Sequence, residues 1–390
     1  MSAGEVVQTR PLRRTLRPLI FGATLLAVLG LLFGVPWWTV AVAADWPGPW
    51  GAAATVLFAC ALLAFPVMMV LGHGPRRLDW AARIGDTTLG LIWVLFAWAV
   101  LGNVILRTAL GVAGVEEPAR SRLVALTVLT VSIGLSAWGA VEARRVPRVK
   151  RVDVTIDRLG HGLDGTTVAL LTDTHYGPID RTRWASRVAE TVNKLEPDIA
   201  CHTGDIADGS VAQRLGQASS LGGIRAPMAR AYVTGNHEYF GEADAWVEYT
   251  SSLGWQALQN RHLVLERGGD RLVLAGIDDV TARSSDLDAA LAGADPDLPV
   301  LLLAHQPKQV TAAATAGVDL QISGHTHGGQ IWPFHYLVRV DQPSVFGLSR
   351  HGSRTQLYTS RGTGFWGPPL RIFAPSEITL ITLRSPATGG

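Results

Sequence analysis

Cysteine is almost missing from this chain. Cys60 and Cys201 are the only two in 390 residues, too few for a disulfide framework, and they give no reading of redox compartment. Cys60 falls in an apolar run and Cys201 in an expected buried strand, so both read as small core residues. Net charge is also lacking: a formal +2 gives no electrostatic basis for nucleic acid as the main partner. Above all, charge is scarce before residue 145, where Leu, Val, Ala, Gly and Trp prevail. Charged residues, and all of the eleven histidines except His73, gather beyond it, which directs the search for chemistry to the second part.

Four long apolar stretches, near 18–44, 52–72, 87–110 and 123–141, match the roughly 20 helical residues needed to cross about 30 Å of hydrocarbon. A signal peptide would explain one such run; four predict a multi-pass membrane protein. Pro36, Trp37, Trp38, Trp46 and Trp50 form an expected interfacial belt. Basic residues flank the expected inner ends: Arg10, Arg13, Arg14 and Arg17, then Arg76, Arg77 and Arg83, then Arg144, Arg145, Arg148, Lys150 and Arg151. The first outer loop holds Asp45 and no basic residue. The second mixes Glu116 and Glu117 with Arg120 and Arg122, and Arg107 is placed to snorkel from the third helix. The balance puts both termini, and the domain after the helices, on the cytoplasmic side of the cell membrane. Reading Arg13-Arg14 as part of a twin-arginine export signal would reverse that orientation. With Asn103 and small hydroxyls as their main polar groups, the helices read as an anchor and not a transport path.

From Val152 onward short β-branched runs alternate with helical spacing, the pattern of an α/β layered domain. The expected division is an N-terminal segment at 1–17, transmembrane helices over 18–145, a basic linker and first strand at 146–160, and the α/β domain at 161–390. Strands are expected at 166–172, 198–203, 230–234, 271–277, 299–304 and 318–323, with helices near 181–195, 242–253 and 307–316. Residues of metal-binding type recur just after the expected strand ends, where loops of α/β sheets converge.

Asp173 and His175 stand two apart, on one side of an extended segment, although such a pair alone is commonly a turn. Gly204-Asp205-Ile206-Ala207-Asp208 puts carboxylates in a turn that Gly makes tight. Gly235-Asn236-His237-Glu238 offers an amide oxygen and an imidazole, or simply a polar helix cap. His305 ends an apolar run and alone would read as structural. His325 and His327, in the glycine-rich turn Gly324–Gly329, are hard to explain by packing. Together these Asp, Asn and His donors suit Mn, Fe or Zn. They exceed the four ligands of one zinc site and fit two divalent ions about 3.5–4 Å apart sharing a carboxylate.

In this order the blocks DTH, GDIAD, GNHE, the His of AHQP, and GHTH resemble the calcineurin-like metallophosphoesterase superfamily. SGHTHGGQIWPF and SRGTGFWGPPLRIFAPSEITLITL are similar to its bacterial membrane-associated, YkuE/YaeI-like branch. The resemblance covers about 150–385 and implies a four-layer α/β/β/α sandwich. It also implies that Asp173, His175 and His327 hold one metal, that Asn236, His305 and His325 hold the other, and that Asp205 bridges them. His237 matches the position that protonates the leaving oxygen or stabilises phosphoryl charge, and Asp208 the carboxylate that orients it. Gly209 stands where many relatives have a phosphate-clamping Arg, which leaves Arg361 as the substrate-binding candidate.

The implied activity is metal-dependent hydrolysis of a phosphodiester, pyrophosphate or phosphomonoester, with water activated for in-line attack on phosphorus. Manganese is the metal to try first, and a lipid-linked phosphate ester suits a tethered enzyme. The rival readings are a phosphoprotein phosphatase, a non-catalytic membrane sensor or scaffold with a metal site, and a nuclease. For the last, Arg181, Arg183 and Arg187 on one helix read as a solvated face.

Overall fold

The computed structural model describes residues 13–386, with side chains from Ile20 onward. Arg10 and the side chains of Arg13, Arg14 and Arg17, in the expected N-terminal segment, lie outside the described residues. The chain divides into two compact units. One comprises the described residues up to Val67 together with Leu91–Ile133, the other Met68–Gly90 together with Gly134 onward.

Among the described residues four spans are long and apolar enough to cross a membrane. They are built from α1 (Arg13–Trp37), α2 (Trp50–His73), α3 (Asp79–Leu101) continued by a π-helical turn into α4 (Arg107–Val112), and α5 (Ala119–Arg144). In the first unit, Ala99, Val124 and Val128 form a small buried cluster packed by Val35, Leu95, Trp98, Leu106 and Leu110. Asn103 donates to Thr39 Oγ1 at 2.7 Å and to the Ala99 carbonyl at 2.8 Å, so the one amide in the apolar region has partners for its donors. Cys60 is exposed on α2 and does not pack as a core residue. That helix is apolar all round, so composition does not mark the side that packs.

The second unit holds two six-stranded sheets. In the first the order is β1 (Arg148–Thr155), β12 (Glu377–Arg384), β2 (Thr167–Leu171), β3 (Ile199–His202), β4 (Ala229–Tyr232) and β5 (Gln256–Ala257). In the second it is β10 (Gly347–His351), β11 (Thr355–Thr359), β9 (Leu320–Ser323), β8 (Val300–Leu303), β7 (Asp270–Gly276) and β6 (Arg261–Arg267). The runs β2-β3-β4 and β7-β8-β9 are parallel, as expected of strands buried on both faces and therefore apolar at nearly every position.

Period-two alternation assigns each strand's side chains to layers. Val168 and Leu170 of β2, Ile199 and Cys201 of β3, and Leu272, Leu274, Leu301 and Leu303 of the facing sheet fill the core between the sheets. Ala169, Leu171 and Ala200 face outward to Trp184, Val188 and Val192 of α6 (Thr182–Asn193), to Ala218 of α7 (Val211–Ala218), and to Trp246, which lies beyond α8 (Asn236–Tyr239) in α9 (Ala243–Ser252). Across the molecule Val273, Ala275 and Leu302 pack on Ala290 of α10 (Leu287–Leu291) and Ala313 of α11 (Val310–Thr315). This is the α/β/β/α sandwich.

The expected strand and helix positions agree with β2, β3, β4, β7, β8 and β9 and with α6, α9 and α11. The strands β5, β6, β10, β11 and β12 are not anticipated; in the antiparallel edge strands β6 and β10, exposed and charged residues hide the alternation. Leu301 is fully buried at the centre of the inter-sheet core. Leu301→Ala is expected to destabilise the domain by about 2–5 kcal/mol. Denaturant unfolding of the full-length protein in detergent, followed by near-ultraviolet circular dichroism, checks this; an unchanged midpoint would contradict the packing described.

Candidate metal centre

The loops that leave β2, β3, β4, β8 and β9 bring Asp173 and His175, Asp205 and Asp208, Asn236 and His237, His305, and His325 and His327 into one place. Asp173, His175, Asp205, His325 and His327 all have positive φ, between 42° and 68°. Non-glycine residues adopt that region at an energetic cost, and such strain clusters at functional sites. Here it turns each side chain back across the strand ends.

Among the described residues three groups have one donor atom per residue within 4.8 Å of the others: Asp173, His175 and His327 in the first, Asp205, His305 and His325 in the second, and His175, Asp208 and His237 in a third that shares His175 with the first. Asn236 joins the second group, its Oδ1 lying 3.1 Å from His305 Nε2. Asp205 stands between the first two groups, with Oδ2 at 3.5 Å from His175 Nε2 and 3.3 Å from His305 Nε2.

Hydrogen bonds on the far side of the rings decide what faces inward. His305 Nδ1 lies 2.7 Å from the Thr203 carbonyl and His175 Nδ1 2.9 Å from Asp208 Oδ1. Each acceptor requires a proton on Nδ1, which in the neutral ring leaves Nε2 as a bare lone pair. Those lone pairs converge with the oxygens of Asp173, Asp205 and Asn236. Acceptors gathered in this way repel one another unless positive charge lies among them. The donor set therefore fits two divalent metal ions. His327 differs: Arg371 Nη2 donates toward its Nδ1 at 3.2 Å, which puts the neutral ring's own proton on Nε2, so this ring would ligate through Nε2 only after losing it. Burial, with His305 adding, pushes His325 down to about 4, so its ring is neutral.

Sequence reading pairs Asp208 with His237. Its Oδ1 is in fact 2.8 Å from His237 Nδ1 and 2.9 Å from His175 Nδ1, so one carboxylate orients both rings. Burial would lower the pKa of His237, but the charges of Asp205 and Asp208 outweigh it and push the ring up to about 9. Phe240 and Trp366 border this imidazole at centroid distances of 5.2 and 5.7 Å. Arg361 lays its guanidinium 4.1 Å over the Phe346 ring, with its stem beneath Gly328 of the histidine turn.

Three features are not anticipated from the sequence. Glu238 is fully buried and accepts from the backbone N–H of Asp205, Ile206 and Gly235 at 3.0, 2.7 and 2.6 Å; it ties the β3 and β4 loops together. Arg181 is buried, contrary to the solvated helix face expected for it. It precedes α6 and turns inward, stacking between Trp184 and Phe365 at 4.7 and 4.3 Å and donating to the carbonyls of Thr174 and His175. Burial pushes its pKa down to about 10, so it stays charged. Finally, Arg83 and Asp86 of α3 line a cavity together with His175, Asp208, Arg181 and Phe365. Arg83 donates to the Pro178 carbonyl at 2.7 Å, and Asp79 pairs with both terminal nitrogens of Arg214 at 2.6 and 2.8 Å. Asp278 and Asp279 serve locally: Asp278 accepts from Asn260, and Asp279 accepts from Gln306 and the Thr281 N–H.

Glu238→Gln replaces an acceptor oxygen with an amide donor and leaves buried N–H groups unpaired. It is expected to cost about 1–3 kcal/mol and to loosen metal retention. Melting with and without chelator, alongside metal counting, tests this; a variant equal to wild type in both would remove Glu238 from the account.

The profile of the calcineurin-like phosphoesterase family matches residues 166–329. A Danio rerio protein named "Transmembrane protein with metallophosphoesterase domain" is 34% identical over 327 residues, covering 78% of this chain and 74% of that protein. An "Uncharacterized metallophosphoesterase" of Helicobacter pylori is 36% identical over 251 residues, 63% of this chain and 66% of that one. YkuE of Bacillus subtilis, also named a metallophosphoesterase, is 31% identical over 233 residues, 58% of this chain and 81% of that one.

Proposed function

The chain belongs to the calcineurin-like metallophosphoesterase family, and from that premise we propose that this membrane protein hydrolyses a phosphodiester or pyrophosphate carried by a lipid-linked molecule. The observation that supports this reading best is the position of Asp205, within 3.5 Å of one imidazole group and 3.3 Å of the other. Two divalent ions, when bound, supply the Lewis acidity that activates water near neutral pH and offsets phosphoryl charge. Asp173, His175 and His327 would hold one, Asn236, His305 and His325 the other, and Asp205 both.

The protein's own groups then have separate tasks. Asp208 fixes the tautomer of His237 through Nδ1, leaving its other nitrogen to donate a proton to the leaving oxygen. The His237 side chain is 16% exposed while those of His175 and His305 are fully buried, so substrate meets the acid before the ligands. Arg181 holds the loop carrying Thr174 and His175 by their carbonyls. Arg361 is the proposed cation for the phosphoryl oxygens. The lipid link is supported by the cavity wall, where Arg83 and Asp86 come from a membrane-spanning helix.

A cytoplasmic catalytic domain is supported by the basic residues beside α2, α3 and α5. In the loop whose sequence is ambiguous, Arg107 and Arg120 pair with Glu117, and Arg122 donates to the Ala44 carbonyl. Labelling of an Arg76→Cys variant by an impermeant maleimide is expected only after cell lysis; labelling of intact spheroplasts would place the domain outside.

The direct test uses full-length protein in detergent, stripped of metal and reloaded with manganese, zinc or iron. Cleavage of bis(p-nitrophenyl) phosphate that requires about two ions per chain is expected; turnover that survives complete metal removal would refute the mechanism. Asp205→Asn should lose both ions and activity together, and retention of two ions would contradict its bridging role. His237→Gln should keep the ions while turnover falls roughly 10²–10⁴-fold; loss of metal would instead make His237 a ligand.

A further inference from the structure

The second unit carries an apolar surface outside its cores. In α12 (His335–Asp341) no residue is buried; Tyr336, Leu337 and Val340 are 58%, 54% and 85% exposed, and Phe346 and Leu348 follow at 43% and 42%. Polar contacts hold this short helix to the domain: Asp341 pairs with Lys308 at 3.2 Å, and Gln342 accepts from the Lys308 N–H at 3.0 Å. Its apolar side chains are therefore not what attaches it.

The segment that leads into α12 is linked to α5 through residues 371–372. Trp332 N–H donates to the Ile372 carbonyl at 3.1 Å, and the neighbouring Arg371 N–H donates to the Gly139 carbonyl of α5 at 3.0 Å. A Cβ at Gly139 would come 2.7 Å from Ile372 Cγ1, so the approach depends on glycine. The Phe373 ring lies 5.6 Å from Trp138 and 6.5 Å from Trp332. From Ala119, where α5 begins, the helix climbs roughly 28 Å to Trp138, close to the hydrocarbon thickness of about 30 Å. A span entering at Ala119 would thus bring Trp138 to the depth where tryptophan concentrates, and Phe373 and Trp332 lead from it toward α12.

We propose that α12 and the Phe346–Leu348 turn rest on the bilayer interface, so that the catalytic domain is docked on lipid as well as tethered through its helices. The occupant of this surface is the membrane itself, since the surface is continuous with the interfacial end of α5. Tyr336, Leu337 and Val340 give the apolar contact, and exposed Arg339 gives a cation for anionic headgroups.

The test uses full-length Val340→Cys protein in a Cys60→Ser background, Cys201 being buried, labelled with bimane and reconstituted in phosphatidylcholine–phosphatidylglycerol vesicles. Lipids brominated near the headgroup are expected to quench position 340 at least about twofold, because interfacial helices bury their apolar face roughly 5–10 Å deep. A label at Glu266→Cys, exposed on the opposite edge strand β6, should be quenched little. Water-like emission and equal quenching at both positions would overturn the proposal. So would shielding of position 340 that depends on protein density and not on brominated lipid, which would assign the surface to a second copy of the chain. Leu337→Cys repeats the test should Val340→Cys fold poorly. The readout is independent of turnover.

Discussion

Everything in the catalytic domain turns on a repulsion. Thr203 and Asp208 accept hydrogen bonds from Nδ1 of His305 and His175, which in the neutral rings leaves both Nε2 lone pairs facing the oxygens of Asp205, Asp173 and Asn236. Such a set of acceptors is stable in a buried place only with cations among them. Asp205 is where the two groups meet, and its loop is tied to the β4 loop: Glu238 accepts from its backbone N–H, and its Oδ1 accepts from the His237 N–H at 2.9 Å.

The two-sheet sandwich is what can hold that arrangement. Parallel strands end together, so five loops are delivered to one edge of the layered core. Strict alternation along β2, β3, β7 and β8 packs both faces of the sheets and fixes where each strand stops. The energy gained in those cores offsets the positive φ angles at Asp173, His175, Asp205, His325 and His327. Sheet interior and strained loop are thus parts of one device.

The residues gathered at the candidate metal centre were legible in the sequence because they occur as short polar blocks after apolar runs, and the runs reveal the strands. Groups that act across the fold were not. Glu238 sits in the same block as Asn236, but its role depends on the β3 loop lying opposite. Arg181 looks like one more charge on a helix, and only the facing rings of Trp184 and Phe365 show it to be enclosed. Arg83 and Asp86 belong by sequence to the ends of membrane helices, and nothing local says that they line a cavity with His175. Cys60 misleads for a related reason: in an all-apolar helix, burial is set by neighbours that composition does not reveal.

Residues 68–90 belong to the same compact unit as the metal centre, held there by Asp79–Arg214 and by Arg83 on Pro178. Anomalous diffraction from crystals of the manganese-loaded full-length protein tests the bridging position of Asp205 most directly. The account predicts two peaks about 3.5–4 Å apart, one on each side of the Asp205 carboxylate. A single peak, or two that do not share Asp205, would contradict it.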